Sequence, residues 1–312
     1  MTLSYTTSPS ISQGARLNFQ DSFFALAQQT DSQLVSSKAI KMAPSSGKTT
    51  NFARIGRIEL DEVNTRNPDK QYGDYALDNR LFTKRRFTKT IQIDKKYDIN
   101  ELLADPTSDI LQQLNNAKER VIDRVAIAAA VGNVLVGGPD TTPSSISAAT
   151  DGVVTIDGTG GFTYEIVQAI TAQFINSDLP YSLFRGSTVC LTGNENSDLM
   201  GEDQFINQDY MIATPNDVAG VAQSLGKTYM VAMFAGSSTG GGTVAQPVLP
   251  EGATTRSCVV LAPQSILMAM EIGDMGVEKS AQKVNSVDIT IDLWINAMRT
   301  EGPRVIIVTT TI

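Results

Sequence analysis

Gly226-Lys227-Thr228 and Asn194-x-Asn196-x-Asp198 are the two stretches of this 312-residue chain whose residue types and spacing come nearest to site chemistry. The first ends like a phosphate-binding loop, in which backbone amides and a lysine cradle a nucleotide phosphate. Its preceding glycine, Gly220, stands one residue too far away, and 229–235 reads as strand where that motif requires a helix. The second begins like a calcium loop. Leu199 occupies the position that needs glycine and Phe205 that of the bidentate glutamate, so the stretch reads as a polar turn. Histidine is absent altogether. That removes the commonest general base and the commonest metal ligand, which weighs against hydrolase triads and His-zinc sites. Cys190 and Cys258 each lie in an apolar strand-like run, where a free thiol behaves as a small buried hydrophobe, and a disulfide between them is not expected. No G-x-S-x-G elbow and no cysteine ligand set is present. The residues therefore point to no catalytic group, no cofactor and no metal.

Charge is the stronger signal. Residues 46–98 hold 12 of the 25 Lys and Arg side chains against 8 acids, a net of +4 in a chain whose total is −8. The opposite pole is 125–255, where only Arg185 and Lys227 stand against 12 Asp or Glu. Unlike patches steer association and like patches suppress wrong docking, so a chain built this way attracts copies of itself. Arg66, Lys70, Arg80, Lys84, Arg85 and Arg86 are the candidate inter-subunit contacts on the basic segment. Nucleic-acid binding competes for the same residues. Eight acids are mixed through the segment, however, and only Tyr72 and Tyr75 stand near its tip to stack on bases. Subunit contact alone also accounts for the acidic region.

The elements that must position these residues follow from periodicity. Residues 18–34 place Phe19, Phe23, Leu26 and Ala27 at helical spacing. Two alternating runs, 51–63 and 87–93, predict a long two-stranded arm with an irregular tip at about 65–80. Such a ribbon has too little core to stand alone and must lie on something else. Asp105-Pro106 then opens a helix to about residue 132, with Ile110, Leu114, Ala117, Val121, Val125 and Ala128 on one face. Residues 137–161 read as a long loop that resumes strand character only at 153–156, 163–175 as a helix, and 188–192, 228–235 and 257–262 as strands. Residues 263–272 read as a short apolar helix, 287–293 as the strongest strand signal, and 304–312 as a closing strand that pairs back into a core sheet. No secretory signal and no membrane-length apolar run occurs, so the chain reads as cytoplasmic and not membrane-bound.

This order of elements resembles the tailed-bacteriophage major capsid proteins of the Hong Kong 97 type. The local texture is also similar to short-tailed-phage members. Ser45-Ser46-Gly47-Lys48 enters Phe52-x-x-Ile55-Gly56-Arg57, Ile91-x-Ile93-Asp94 precedes the helix, and Glu301-Gly302-Pro303-Arg304 precedes the last strand. The resemblance implies an α+β Hong Kong 97-type capsid fold. Its parts would be an N-terminal arm (1–46), an extended hairpin loop (47–98), a peripheral domain (99–160 and 263–312, with a spine helix at about 105–132) and an axial domain (161–262). It further implies the icosahedral head of a tailed phage, assembled in the host cytoplasm from hexamers and pentamers around double-stranded DNA. A separate scaffolding protein and a portal would be its other partners. A cellular nanocompartment shell holding protein cargo is the alternative within the fold.

Overall fold

Thr107–Val131 forms the long helix, α2, and follows a single turn, α1, at Gln33–Ser36. Its 25 residues give a rod of about 37 Å at 1.5 Å per residue. Residues 29–44, 47–60, 62–64, 66, 73–94, 107–137, 142–180, 186–202, 229–233, 249–251, 254–281, 283 and 285–311 are described in a computed structural model of the chain. The proposed opening of the helix at Asp105-Pro106, residues 18–28 of the helix expected at 18–34 and the Gly226-Lys227-Thr228 stretch lie outside them; of the rest of that expected helix, 29–32 is not helical and only the turn from Gln33 is.

The buried face of α2 differs from the predicted one. Leu114, Ile122, Ala126, Ile127 and Ala130 are buried together with polar Asn116, Arg120 and Asp123, while Val121 and Val125 are half-buried and Ala128 is exposed. An acid sits on that face because it has donors to satisfy. The Asp123 carboxylate accepts from Ser32 Oγ at 2.5 Å, Gln33 N at 3.0 Å and Leu34 N at 3.2 Å, closing the free amides at the start of α1.

Three sheets follow. In the first, β2 (Thr49–Ile55), β3 (Leu77–Thr83), β5 (Val134–Val136) and β6 (Ser144–Ile146) lie in the order β2-β3-β5-β6. The hairpin is antiparallel, registered from Thr49↔Thr83 to Ile55↔Leu77. The predicted arm thus has a different return strand: 77–83 pairs with 49–55, whereas β4 (Arg85–Asp94) leaves for the second sheet. The alternation at 56–60 misled because Ile58 and Leu60 share exposure with their charged neighbours, so no face is buried there.

The second sheet has the order β1 (Ile40–Met42), β11 (Ile266–Lys279), β12 (Ser286–Arg299), β4. Residues 266–272, predicted as helix, are the first half of β11. A short apolar run is ambiguous between buried helix and buried strand, and here Ile40–Met42 pairs beside it in parallel. The third sheet has the order β7 (Val154–Gly158), β13 (Val305–Thr311), β10 (Thr255–Leu261), β8 (Ser187–Leu191), β9 (Tyr229–Met233). The C-terminal strand is therefore interior to a sheet, as its apolar run predicted. It pairs with strands on both sides of the boundary that the sequence reading draws between peripheral and axial parts.

Two further helices are α3 (Tyr164–Asn176), which buries Ile166, Val167, Ile170 and Phe174, and α4 (Gly193–Gly201). Asn194, Asn196 and Asp198 belong to α4 and not to a turn. Thr192 and Glu195 form a capping box at its start, a signal that outweighs the calcium-like spacing. Cys190 lies opposite Val259 across β8 and β10, so neighbouring Cys258 points to the other face of the sheet. Both thiols are free and buried, and burial pushes Cys258 up to about 12 and Cys190 well above its ordinary value.

By compactness the chain falls into two units. The first comprises 1–30, 87–118 and 272–293, and among its described residues Ile93, Leu114, Ile289 and Ile291 make a core with Ile91, Ile110 and Leu111 against it. The second comprises 31–86, 119–271 and 294–312, with a cluster of Phe82, Leu267, Ala269 and Met298 flanked by Ala43 and Phe52.

Candidate assembly surface

An arginine in the middle of a strand must either reach water or find a partner, and Arg80 on β3 does the second. Its side chain is 0% exposed and forms an ion pair with Asp151 through Nη2, while Nη1 donates to the Arg299 carbonyl at 3.0 Å. Arg299, also 0% exposed, donates from Nε to the same carboxylate at 3.3 Å. Its Nη1 reaches the carbonyls of Ala129 (3.2 Å), Ala130 (2.8 Å) and Gly132 (2.5 Å). These are acceptors left over at the C-terminal end of α2, where a cation also meets the negative end of the helix dipole. Burial lowers the Arg299 pKa and Arg80 adds to that, with Asp151 opposing.

The Glu301-Gly302-Pro303-Arg304 stretch seats against this clasp. A Cβ at Gly302 would overlap the Asp151 carbonyl, one at Gly152 would meet the Pro303 ring at 3.6 Å, and Arg304 Nε bonds Glu301 at 2.8 Å. Its residue types are thus explained by close backbone approach and a local ion pair.

Lys84, 3% exposed, forms an ion pair with Glu271 where the chain passes from β3 to β4, and its amide donates to the Lys48 carbonyl at 2.9 Å, closing the hairpin base. Arg80 and Lys84 are therefore spent inside the subunit, which removes them from the surface to which the sequence reading assigned them. Their partners lie 71 and 187 residues away, beyond the reach of local pattern. Arg66 and Arg85 are exposed, and so is Arg86, whose guanidinium lies 5.8 Å from the centre of the Trp294 ring. Lys70 lies outside the described residues.

The acidic pole narrows in the same way. Asp151 serves Arg80 and Arg299, and Glu195 and Glu251 both bind Arg256, at 2.7 Å each. Burial alone would raise the Glu195 pKa, but hydrogen bonds from Thr192 and Arg256 outweigh it and hold the carboxylate below its usual value. Asp157, Glu165, Asp178 and Asp198 remain exposed, and Asp178 already meets Arg57 at 2.9 Å.

The loop also exposes apolar side chains that periodicity alone does not reveal. Ile58 is 70% exposed and Leu60 97%, and Ile55, Val63, Tyr75 and Leu77 are each more than half exposed. A soluble monomer has scattered exposed hydrophobes, but six large ones in one loop and the strand ends that flank it mark an interaction surface. Their alternation with Arg57 and Glu59 was visible in the sequence. What it lacked was a partner strand. Among the described residues no group of three or more acidic or thiol side chains is placed to hold a metal ion, and no helix is long and apolar enough to cross a membrane.

A protein-family model described as phage capsid protein matches residues 11–312. A search by sequence against curated proteins gives no match. Among solved structures, the chain is similar to the capsid of Ralstonia phage GP4, with a TM-score of 0.63 and 10% identity, covering 100% of this chain and 98% of that one. The capsid of cyanophage Pam1 gives a TM-score of 0.61 at 12% identity over 99% of each chain. The capsid of cyanophage P-SCSP1u gives 0.58 at 14% identity, covering 95% of this chain and 94% of the other.

Proposed function

Because the chain belongs to the phage capsid protein family, it is a structural subunit of a phage head, located in the virion shell, and we propose the finer assembly that follows. Copies close into an icosahedral shell of hexamers and pentamers around double-stranded DNA, with a separate scaffolding protein and a portal as further partners. The subunit has no catalytic task in this scheme. The match to phage capsids over nearly the whole chain favours a phage head over a compartment for protein cargo. A net charge of −8 suits a DNA container, since a basic wall would bind its contents through phosphate contacts. The division into an N-terminal arm, extended loop, peripheral domain and axial domain is part of the same proposal.

One observation carries it: the loop between β2 and β3 presents large apolar side chains and the exposed Arg66 that its own subunit does not cover. We assign this loop, with Arg85 at its base, to an adjacent copy. Exposed ion pairs are worth about 0–1 kcal/mol each, so charge orients the loop while apolar burial holds it. Reversing Arg66→Glu and Arg85→Glu together leaves the subunit folded, with a melting temperature within about 4 °C of wild type, and yields few or misassembled particles by electron microscopy. Normal particles from that variant contradict the role given to these two residues.

A further inference from the structure

The third sheet ends on β7, which pairs in parallel with β13 from Val154↔Ile306 to Gly158↔Thr310. Among the described residues no strand covers its other edge, so backbone N–H and C=O groups stay open there to an added strand. A groove of 480 Å³ adjoins this edge, lined by Ile156 and Asp157 of β7, by the glycine-rich turn at 158–161, and by Glu165, Ile166 and Ala169 of α3. A Cβ at Gly158 would lie 2.9 Å from Ile166 Cδ1, so the face of β7 that carries Val154 and Ile156 is the one turned toward α3. Thr155 and Asp157 occupy the opposite face and are exposed. Glu165, in the first turn of α3, is exposed as well. Among the described residues no Lys or Arg lines the groove.

We propose that this groove takes an extended segment of a separate, basic polypeptide, added to the open edge of β7. Main-chain hydrogen bonds to the edge supply affinity, and alternate side chains supply specificity. Apolar ones face Ile156 and Ile166, and lysines or arginines face the carboxylates of the rim. The occupant follows from charge and pattern. A phosphate-bearing ligand would ask for cations, and none lines the groove. A metal ion finds no group of three or more acidic side chains among the described residues. The chain's own alternating stretch outside the strands, 57–60, does not fit either, because Glu59 accompanies Arg57 and Arg57 already meets Asp178 at 2.9 Å. The inference is independent of the shell reading, since it concerns a different protein bound to the folded subunit.

Fluorescence anisotropy on the full-length protein tests it, with a fluorescein-labelled peptide of about six residues that alternates valine and lysine and is long enough to span β7. Wild-type subunits bind this peptide at least about tenfold more tightly than two controls. One control alternates valine and glutamate and meets like charge. The other is the valine–lysine peptide N-methylated throughout, which cannot donate to a strand edge. Asp157→Asn with Glu165→Gln keeps the melting temperature within about 4 °C of wild type and weakens binding of the valine–lysine peptide by about tenfold. Equal binding of either control, undiminished binding by the folded double variant, or no measurable binding to wild type overturns the proposal. Should the double variant fail to fold, the two control peptides decide alone. Binding to dissociated subunits but not to assembled particles places a second copy in the groove and overturns the separate partner, with the shell intact. Wild-type protein that forms no particles under any condition overturns the shell reading and leaves this one standing on its own peptide data.

Discussion

Asp151→Ala strongly destabilises the folded subunit. The carboxylate bridges two fully buried guanidiniums, Arg80 and Arg299. Removing one member of a buried ion network costs about 3–5 kcal/mol, because the remaining charge is stranded. That is a large share of the 5–15 kcal/mol by which domains are usually stable. At about 2–4 °C per kcal/mol, the melting temperature falls by roughly 6–20 °C, measurable by calorimetry or by Trp294 fluorescence. The loss is not additive with changes at its partners. In the double variant Arg80→Met, Asp151→Ala, Arg299 is the one member of this network that stays as a buried cation. It keeps three carbonyl acceptors at the end of α2, so part of the stability returns. A double variant as unstable as the sum of the two single variants contradicts the shared network.

Ile58→Glu with Leu60→Glu has the opposite profile: full stability and no assembly. Both side chains are mostly exposed in the subunit, so they contribute little to its fold. Covered by a neighbour, each would gain about 1.5–3 kcal/mol from burial. Glutamate forfeits that gain and adds two negative charges to a chain already at −8. The variant should purify as a folded subunit that sediments slowly and gives no particles in the electron microscope. If it assembles with wild-type yield, the loop is solvent-facing in the shell and its apolar side chains need another explanation.

The two outcomes separate what holds the subunit from what joins subunits, and the sequence announces these unequally. The long helix, α3 and β12 are legible because their apolar residues recur at a period set by their own backbone, and β8, β10 and the C-terminal strand because they are short continuous apolar runs. β3 is not, since Leu77–Thr83 mixes charge with apolar residues and its arginine is buried. Arg80 looks like a surface cation to any local pattern. Only the fold brings Asp151 to it across 71 residues. Asp123 misleads in the same way, because the donors it satisfies lie about 90 residues upstream in the turn that starts α1.

For the candidate surface the balance is similar. The position of the loop and its excess of basic residues are visible in the sequence, and so is the resemblance to capsid proteins. Which cations remain exposed is not, because burial of Arg80 and Lys84 depends on partners from other strands and turns. The apolar side chains at Ile58 and Leu60 suggested a strand when read for periodicity. Their exposure shows that alternation without a pairing edge marks a surface instead.

Electron microscopy of the purified wild-type protein across a range of concentrations tests the central claim most directly. Closed shells, or curved sheets of hexamers, are predicted above a critical concentration. A protein that stays in discrete small oligomers at every concentration, both alone and when produced together with the other head proteins of its phage, would contradict a shell-forming subunit.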